Sequence, residues 1–334
     1  MRCINKRRRR RKTRRLIYSV SIVILILCGL YLVGNILEQN QVSVKDYEVK
    51  TYHTSVYSST LKLDELCVSD KDVSSEHFNT DDEFHAILLF NTNEAKVMYA
   101  ENIHERLYPA STTKILTSYL ALKYGDLEDV VTVSANAVGV PLDSSRANLK
   151  TGDQLTLEAL LYSLMLPSGN DSAVAIAEHI SGSVEEFTKL MNEEAKKLGA
   201  TNSNFVNPHG YQDKNHYTTA YDLYLIFNEC LKYDKFCEIV SASQYSTKIT
   251  QKNGTYRVAT WGQSNQFING AREVPKGLTI IGGKTGTTDE AGACLLLSSR
   301  GEQDSYISII MGADSRPILY DNMTDLISSV LVSE

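Results

Sequence analysis

A chain of 334 residues with 43% hydrophobic content can bury one large core or two modest ones, and six cysteines are too few for a disulfide scaffold of this size. The formal net charge of −6 hides an asymmetry. Ten Lys and Arg and no acid stand in the first fifteen residues, so the rest of the chain is strongly acidic. A basic tract can bind nucleic acid, but the stretch behind this one gives it a simpler role, and no nucleic acid partner is expected.

Residues 1–15 read as a basic cytoplasmic tail and 16–37 as a membrane anchor. "LIYSVSIVILILCGLYLVG", residues 16–34, has no charged residue and as a helix would reach about 28 Å, one hydrocarbon core. The cationic flank follows the positive-inside rule, which leaves the N-terminus in the cytoplasm and exports the remainder. A cleavable signal peptide is the rival reading. It calls for a shorter apolar region and an A-x-A-like site, and "LVGNILEQNQ" offers none. Cys28 follows Leu27 rather than a small residue, which argues against a lipoprotein anchor. Residues 38–80 are polar, Ser-rich and acidic, and read as a stalk before a folded domain over 81–334.

From His85 the pattern changes. "HAILLFNTNEAKVMYAEN" is two apolar runs around "NTNEA", a hairpin signal. A helix begins just after Pro109 in "YPASTTKILTSYLALKYGD". "LTLEALLYSLML" has leucines at helical spacing and stops at Pro167. Further helices read over "DSAVAIAEHISG", over "VEEFTKLMNEEAKKLGA" ending at Gly199, and over "YTTAYDLYLIFNECLKY". After a polar stretch around Trp261 come three strand patterns, "IIGGKTGTT", "AGACLLLSS" and "SYISIIMGA", and then an amphipathic helix, "LYDNMTDLISSVLV". Strands at both ends with helices between predict an α+β layer architecture. Cys294 reads as a small buried thiol in its strand, and a Cys230–Cys237 bridge is left open.

Three short patterns carry chemistry, and each has a decoy. S-x-x-K occurs at Ser111–Lys114 and again at Ser59–Lys62. S-x-N occurs at Ser168–Asn170 and at Ser134–Asn136, and K-T-G at 284–286 and 150–152. Context separates them. An active Ser and Lys at i and i+3 must share a helix face, which only "STTK" provides. The S-x-N should sit on a loop between helices, as "LPSGNDS" does. The K-T-G should lie on a strand whose edge a substrate can approach, and Lys284 is followed by strand patterns. Taken alone, Ser111 is a helix N-cap and Lys114 a solvated lysine; the partner motifs in order reverse that reading. His209, His216 and His179 could suggest a metal site, but "NPHG" reads as a turn and His216 precedes a helix, so no metal and no cofactor are expected.

S-x-x-K, S-x-N and K-T-G in that order resemble the penicillin-binding, active-site-serine D,D-peptidases. Within them, "YPASTTKI", "LPSGNDSA", "NPHG" followed by "HYTTAYDL", and "GGKTGTTDEAGACL" resemble the low-molecular-mass D-alanyl-D-alanine carboxypeptidases. The resemblance implies a β-lactamase/transpeptidase-like α+β fold, an antiparallel sheet flanked by helices with a helical subregion. It also implies acyl transfer: Ser111 as nucleophile, Lys114 as base, Ser168 as proton relay, and Asn170 on the substrate peptide. Lys284 and Thr285 would bind the terminal carboxylate, Gly286 would leave room for the substrate strand, and the N–H groups of Ser111 and Thr287 would form an oxyanion hole. Many relatives place an arginine near the carboxylate; Arg316 is the nearest candidate, in an unusual register. The partners implied are a peptidoglycan stem peptide ending in D-Ala-D-Ala, β-lactams as covalent inhibitors, and the membrane through the N-terminal helix. Many exported relatives carry a further β-rich domain and a C-terminal anchor, for which this chain has no room after "MGADS".

The rivals use other residues. A serine β-lactamase commonly has an S-D-N triplet and needs a deacylating carboxylate; "SGN" favours the peptidase. A zinc carboxypeptidase needs a His/Asp ligand set that is absent at any convincing spacing. A silent cell-wall scaffold would be expected to have lost Ser111, Lys114 or Lys284. D,D-endopeptidase activity is the nearest alternative.

Overall fold

The structure, a computed structural model, describes residues 66–332. The basic tail, the anchor at 16–37, the Ser59–Lys62 decoy and most of the stalk lie outside the described residues. Among the described residues, no helix is long and apolar enough to cross a membrane.

A five-stranded sheet organises the chain, with β1 (Ala86–Asn91), β2 (Lys96–Glu101), β7 (Thr279–Thr288), β8 (Gly292–Arg300) and β9 (Ser305–Ala313) in the order β2-β1-β9-β8-β7, every pair antiparallel. Both faces of this sheet are covered, so its strands read as apolar runs rather than alternations. Leu88, Phe90, Leu296 and Ile309 pack into one core with the helices of the central segment. Ile87, Leu89, Leu295, Leu297 and Ile310 point the other way. They meet α9 (Arg316–Ser328) through Leu319, Met323 and Leu326. This last helix starts at Arg316, earlier than the apolar pattern suggests, because Ser315 caps it and Pro317 sits in its first turn.

The helical subregion surrounds α1 (Lys114–Tyr124), which is buried over most of its length. It packs against α3 (Leu157–Met165), α4 (Asn170–Ser181), α5 (Val184–Lys197) and α6 (Ala220–Cys230). Thr156, Ser183 and Thr219 cap α3, α5 and α6 through their hydroxyls. Gly182 closes α4 in the left-handed region.

Three features depart from the sequence expectations. Residues 244–262 are not an irregular polar stretch: β5 (Gln244–Thr250) and β6 (Tyr256–Gly262) form a hairpin. With β3 (Val130–Thr132) and β4 (Gln154–Thr156) it makes a second sheet, β3-β4-β5-β6. Short helices also form at α2 (Ala135–Val138), α7 (Asp234–Ser241) and α8 (Gln266–Asn269). The packed body begins before residue 81, since Cys67 and Phe78 are buried and Val73 pairs with Ala100. Cys230 and Cys237 are free thiols bonded to the carbonyls of Ile115 and Leu231, so the bridge left open by the sequence is not formed.

Candidate active site

Ser111 does not lie on the α-helix itself, as the sequence suggested, but on a 3-10 turn, Ala110–Thr113, that feeds into α1. The tighter winding eclipses side chains at i and i+3, which sets Ser111 directly over Lys114. Ala110 occupies the left-handed region (φ 47°), a strain of roughly 1 kcal/mol for a residue with a side chain. A chain of hydrogen bonds holds it there. The Val206 N–H donates to His216 Nδ1, so the imidazole proton sits on Nε2 and donates to Thr113 Oγ1, whose own proton goes to the Ala110 carbonyl. Burial pushes His216 down to about 4, which keeps this tautomer neutral. Gly210 closes the same contact: a Cβ there would stand 1.6 Å from the Ala110 oxygen.

Lys114 is fully buried. Its Nζ reaches Ser111 Oγ at 2.9 Å, Asn170 Oδ1 at 2.7 Å and the His209 carbonyl at 2.7 Å. Burial, and next the charge of Lys284, hold its pKa well below the usual lysine range, against a smaller opposing pull from Asp171. As the neutral amine it keeps two donors for the amide and carbonyl oxygens and turns its lone pair to the Ser111 hydroxyl.

Ser168 and Asn170 sit where α3 stops and α4 starts. Ser168 is also left-handed (φ 65°), and a Cβ at Gly169 would meet the Ser163 carbonyl at 2.7 Å, so this turn requires glycine between the two motif residues. The Asp171 carboxylate accepts the N–H groups of Ala147, Leu149 and Ser172, and the Asn170 N–H donates to Ser145, which ties the loop to the segment over the site.

The third element is β7, an edge strand of the large sheet. Buried Lys284 donates to Ser168 Oγ at 3.0 Å and to the Thr285 carbonyl at 2.9 Å. Burial, then the charge of Arg316, bring its pKa to about 7. A Cβ on Gly286 would stand 3.2 Å from Ala110 Cβ, the Pro109 carbonyl and the Ser111 nitrogen, so glycine lets the strand edge approach the turn. Thr285, Gly286, Thr287 and Arg316 line one small pocket. A cleft of about 350 Å³ opens from Ser111 and Asn170 towards Tyr211, Gln212 and Thr287.

Every site residue expected from the three motifs therefore falls in one place, and the described decoys fall elsewhere. Ser134 caps the short α2, and the 150–152 K-T-G is a turn ahead of β4. His179 pairs with Asp129 on the surface. Motif reasoning missed Thr113, the His209 carbonyl, His216 and Asp171, which orient the motif residues from outside them. "NPHG" signalled only a turn: Asn207 Oδ1 accepts the N–H groups of His209 and Gly210, and that turn presents the His209 carbonyl to Lys114.

Fold and site together define a serine–lysine arrangement at the edge of an antiparallel sheet, suited to acyl transfer. The profile of the peptidase S11 family, D-alanyl-D-alanine carboxypeptidase, matches residues 73–315. The chain is 34% identical to D-alanyl-D-alanine carboxypeptidase DacF of Bacillus subtilis over 238 residues, covering 70% of this chain and 58% of that protein. It is 30% identical over 249 residues to the D-alanyl-D-alanine carboxypeptidase of Streptomyces sp. strain K15, covering 71% and 84%. The crystal structure of the Streptomyces K15 DD-transpeptidase superposes with a TM-score of 0.71 at 27% identity, over 78% of this chain and all of that one. The chain belongs to the D-alanyl-D-alanine carboxypeptidase family of peptidases, although it spans under two thirds of the length of DacF and of Escherichia coli DacC.

Proposed function

We propose that this protein is a serine-type D-Ala-D-Ala carboxypeptidase that removes the terminal D-alanine from peptidoglycan stem pentapeptides. The observation that carries the reading is a fully buried Lys114 whose Nζ lies 2.9 Å from Ser111 Oγ. Neutral Lys114 takes the hydroxyl proton as Ser111 Oγ attacks the carbonyl of the penultimate D-alanine, help of a kind worth about 10²–10⁴-fold. The N–H groups of Ser111 and Thr287 receive the developing oxyanion, each such donor worth roughly 10²-fold or more. Ser168, bonded to Lys284, returns a proton to the departing amine as the C–N bond breaks. Asn170 holds the substrate's peptide group. Lys284, Thr285 and Arg316 hold the terminal carboxylate, which sets the cleaved bond one residue from the chain end. Water then hydrolyses the Ser111 ester. β-Lactams acylate the same serine and leave more slowly.

The apolar span at 16–37 behind a basic tail supports a single-pass anchor with a cytoplasmic N-terminus and an extracytoplasmic catalytic domain, joined by the polar stalk. Transfer to an amine acceptor, or endopeptidase action, is the second reading; a DD-transpeptidase among the structural relatives favours it. The test uses the full-length chain in detergent. Intact-mass spectrometry after incubation with a fluorescent penicillin should show one adduct, lost in Ser111→Ala, and D-alanine should be released from a pentapeptide. Rapid penicillin turnover with no adduct would point to a β-lactamase, and a folded protein that does neither would be a silent scaffold.

A further inference from the structure

Ser264 belongs to none of the motifs, yet it touches two of them. It stands between β6 and α8, and its hydroxyl lies 2.9 Å from Thr285 Oγ1. Its backbone N–H donates to the carbonyl of Leu166, two residues before Ser168. The segment around it is anchored independently. Gln263 Oε1 accepts the N–H groups of Ser264 and Asn265, Gln263 Nε2 donates to Val240, and Asn269 Nδ2 donates to the Gln263 carbonyl. Ser264 also lines the small pocket shared by Thr285, Gly286 and Arg316.

We infer that Ser264 is a positioning residue for recognition of the substrate's terminal carboxylate, holding the Thr285 hydroxyl so that its proton faces the carboxylate pocket. The inference rests on the carboxypeptidase reading of the same site. A hydroxyl has one proton, and Thr285 can give it to a carboxylate only if the bond to Ser264 runs the other way, with Ser264 donating. An accepted bond fixes the rotor and polarises the Thr285 O–H, which strengthens its donation to an anion. The N–H bond to Leu166 then keeps this carboxylate donor in register with the loop that carries Ser168 and Asn170. A merely structural serine would support strand and loop without regard to what the substrate carries at its end.

That difference gives the test. The full-length wild type, Ser264→Ala and Ser264→Thr would be compared on an N-acylated tripeptide ending in D-Ala-D-Ala and on the same peptide as its C-terminal carboxamide. Release of D-alanine or D-alaninamide would be followed by mass spectrometry. Ser264→Ala should raise KM for the acid about tenfold, the scale of one charge-assisted hydrogen bond, with kcat nearly unchanged. The preference for acid over amide should fall by the same factor, and Ser264→Thr, which keeps the hydroxyl, should restore it. Equal losses on acid and amide, or no change on either, would overturn the inference. A wild type that neither forms a penicillin adduct nor releases D-alanine would instead overturn the carboxypeptidase reading beneath it.

Discussion

The two ends of α1 treat the same side chain in opposite ways. At its N-terminal end Lys114 is fully buried, with a serine, an amide and a carbonyl as partners and a second lysine as its strongest charged influence. At its C-terminal end Lys123 is part-exposed and pairs with Glu194, a carboxylate that also receives Lys197 and the Tyr124 hydroxyl. Burial pulls Lys123 down as well, but the hydrogen bonds to Glu194 and Tyr119 outweigh it and its pKa ends above the usual lysine range. One lysine is thus held towards its neutral form and the other is a brace between helices. The deciding difference is the placement of counter-charge: it reaches Lys123 directly, whereas the nearest acid to Lys114, Asp171, is occupied with three backbone N–H groups.

The largest effect comes from exchanging roles at the reactive end. Lys114→Ala should slow acylation by a penicillin about 10²–10⁴-fold, the range for a lost general base. Its thermal midpoint should fall, because alanine leaves a cavity in the core and strips Asn170 Oδ1 and the His209 carbonyl of their donor. Stopped-flow or quenched mass spectrometry gives the first number and a melting curve the second. A variant that acylates at the wild-type rate would remove Lys114 from the chemistry.

At the braced end the pattern should invert. Glu194→Gln leaves two lysines around a buried amide and should lower stability by about 1–3 kcal/mol in urea unfolding, less than for a fully buried pair because both lysines reach solvent. Lys123→Ala should cost about 1 kcal/mol or less. Both variants should acylate within about twofold of the wild type. A large kinetic loss in either would mean that the two ends of α1 are coupled through the helix.

Much of this contrast is legible in the sequence, but not all of it. The elements that buried one face or ran as apolar stretches, such as β1, β8, β9, α3 and α5, announce themselves through spacing and caps. The motif residues are legible because each motif keeps its members within a few positions, Ser111 with Lys114, Ser168 with Asn170, and Lys284 with Thr285 and Gly286. The second sheet is harder, since β3 and β4 are three residues each and gain their register only from partners far along the chain. Its hairpin did leave one signal, Asn253-Gly254, a turn dipeptide with Gly254 in the left-handed region. Ser264, His216 and the His209 carbonyl act through contacts between segments distant in sequence, where no periodicity points at them. The charge at Lys123 is likewise settled by Glu194 of α5, seventy-one residues away.

The smallest effect separates the two environments by pH. Lys284, like Lys114, is held below the ordinary lysine value of 10.5, and reaches about 7. Below pH 7 both folded and unfolded chains carry its proton, so its burial cost is fully present and independent of pH. Between about 7 and 10.5 the unfolded chain binds the proton more tightly than the folded one, so stability rises with pH. The slope should stay below the ~1.4 kcal/mol per pH unit that one proton can give. Glu194 has the opposite sense: hydrogen bonds from Lys123, Lys197 and Tyr124 overcome the upward push of its burial and leave it below the usual carboxylate range. Its contribution is therefore present above the unfolded carboxylate pKa and is lost as pH falls through the folded one. Differences in unfolding free energy between wild type and Lys284→Met should thus vary above neutrality, and those between wild type and Glu194→Gln on the acid side. A flat difference for Lys284→Met from pH 7 to 10 would mean that the strand lysine keeps its charge when buried, and Lys114 would then face a permanent cation rather than a titrating one.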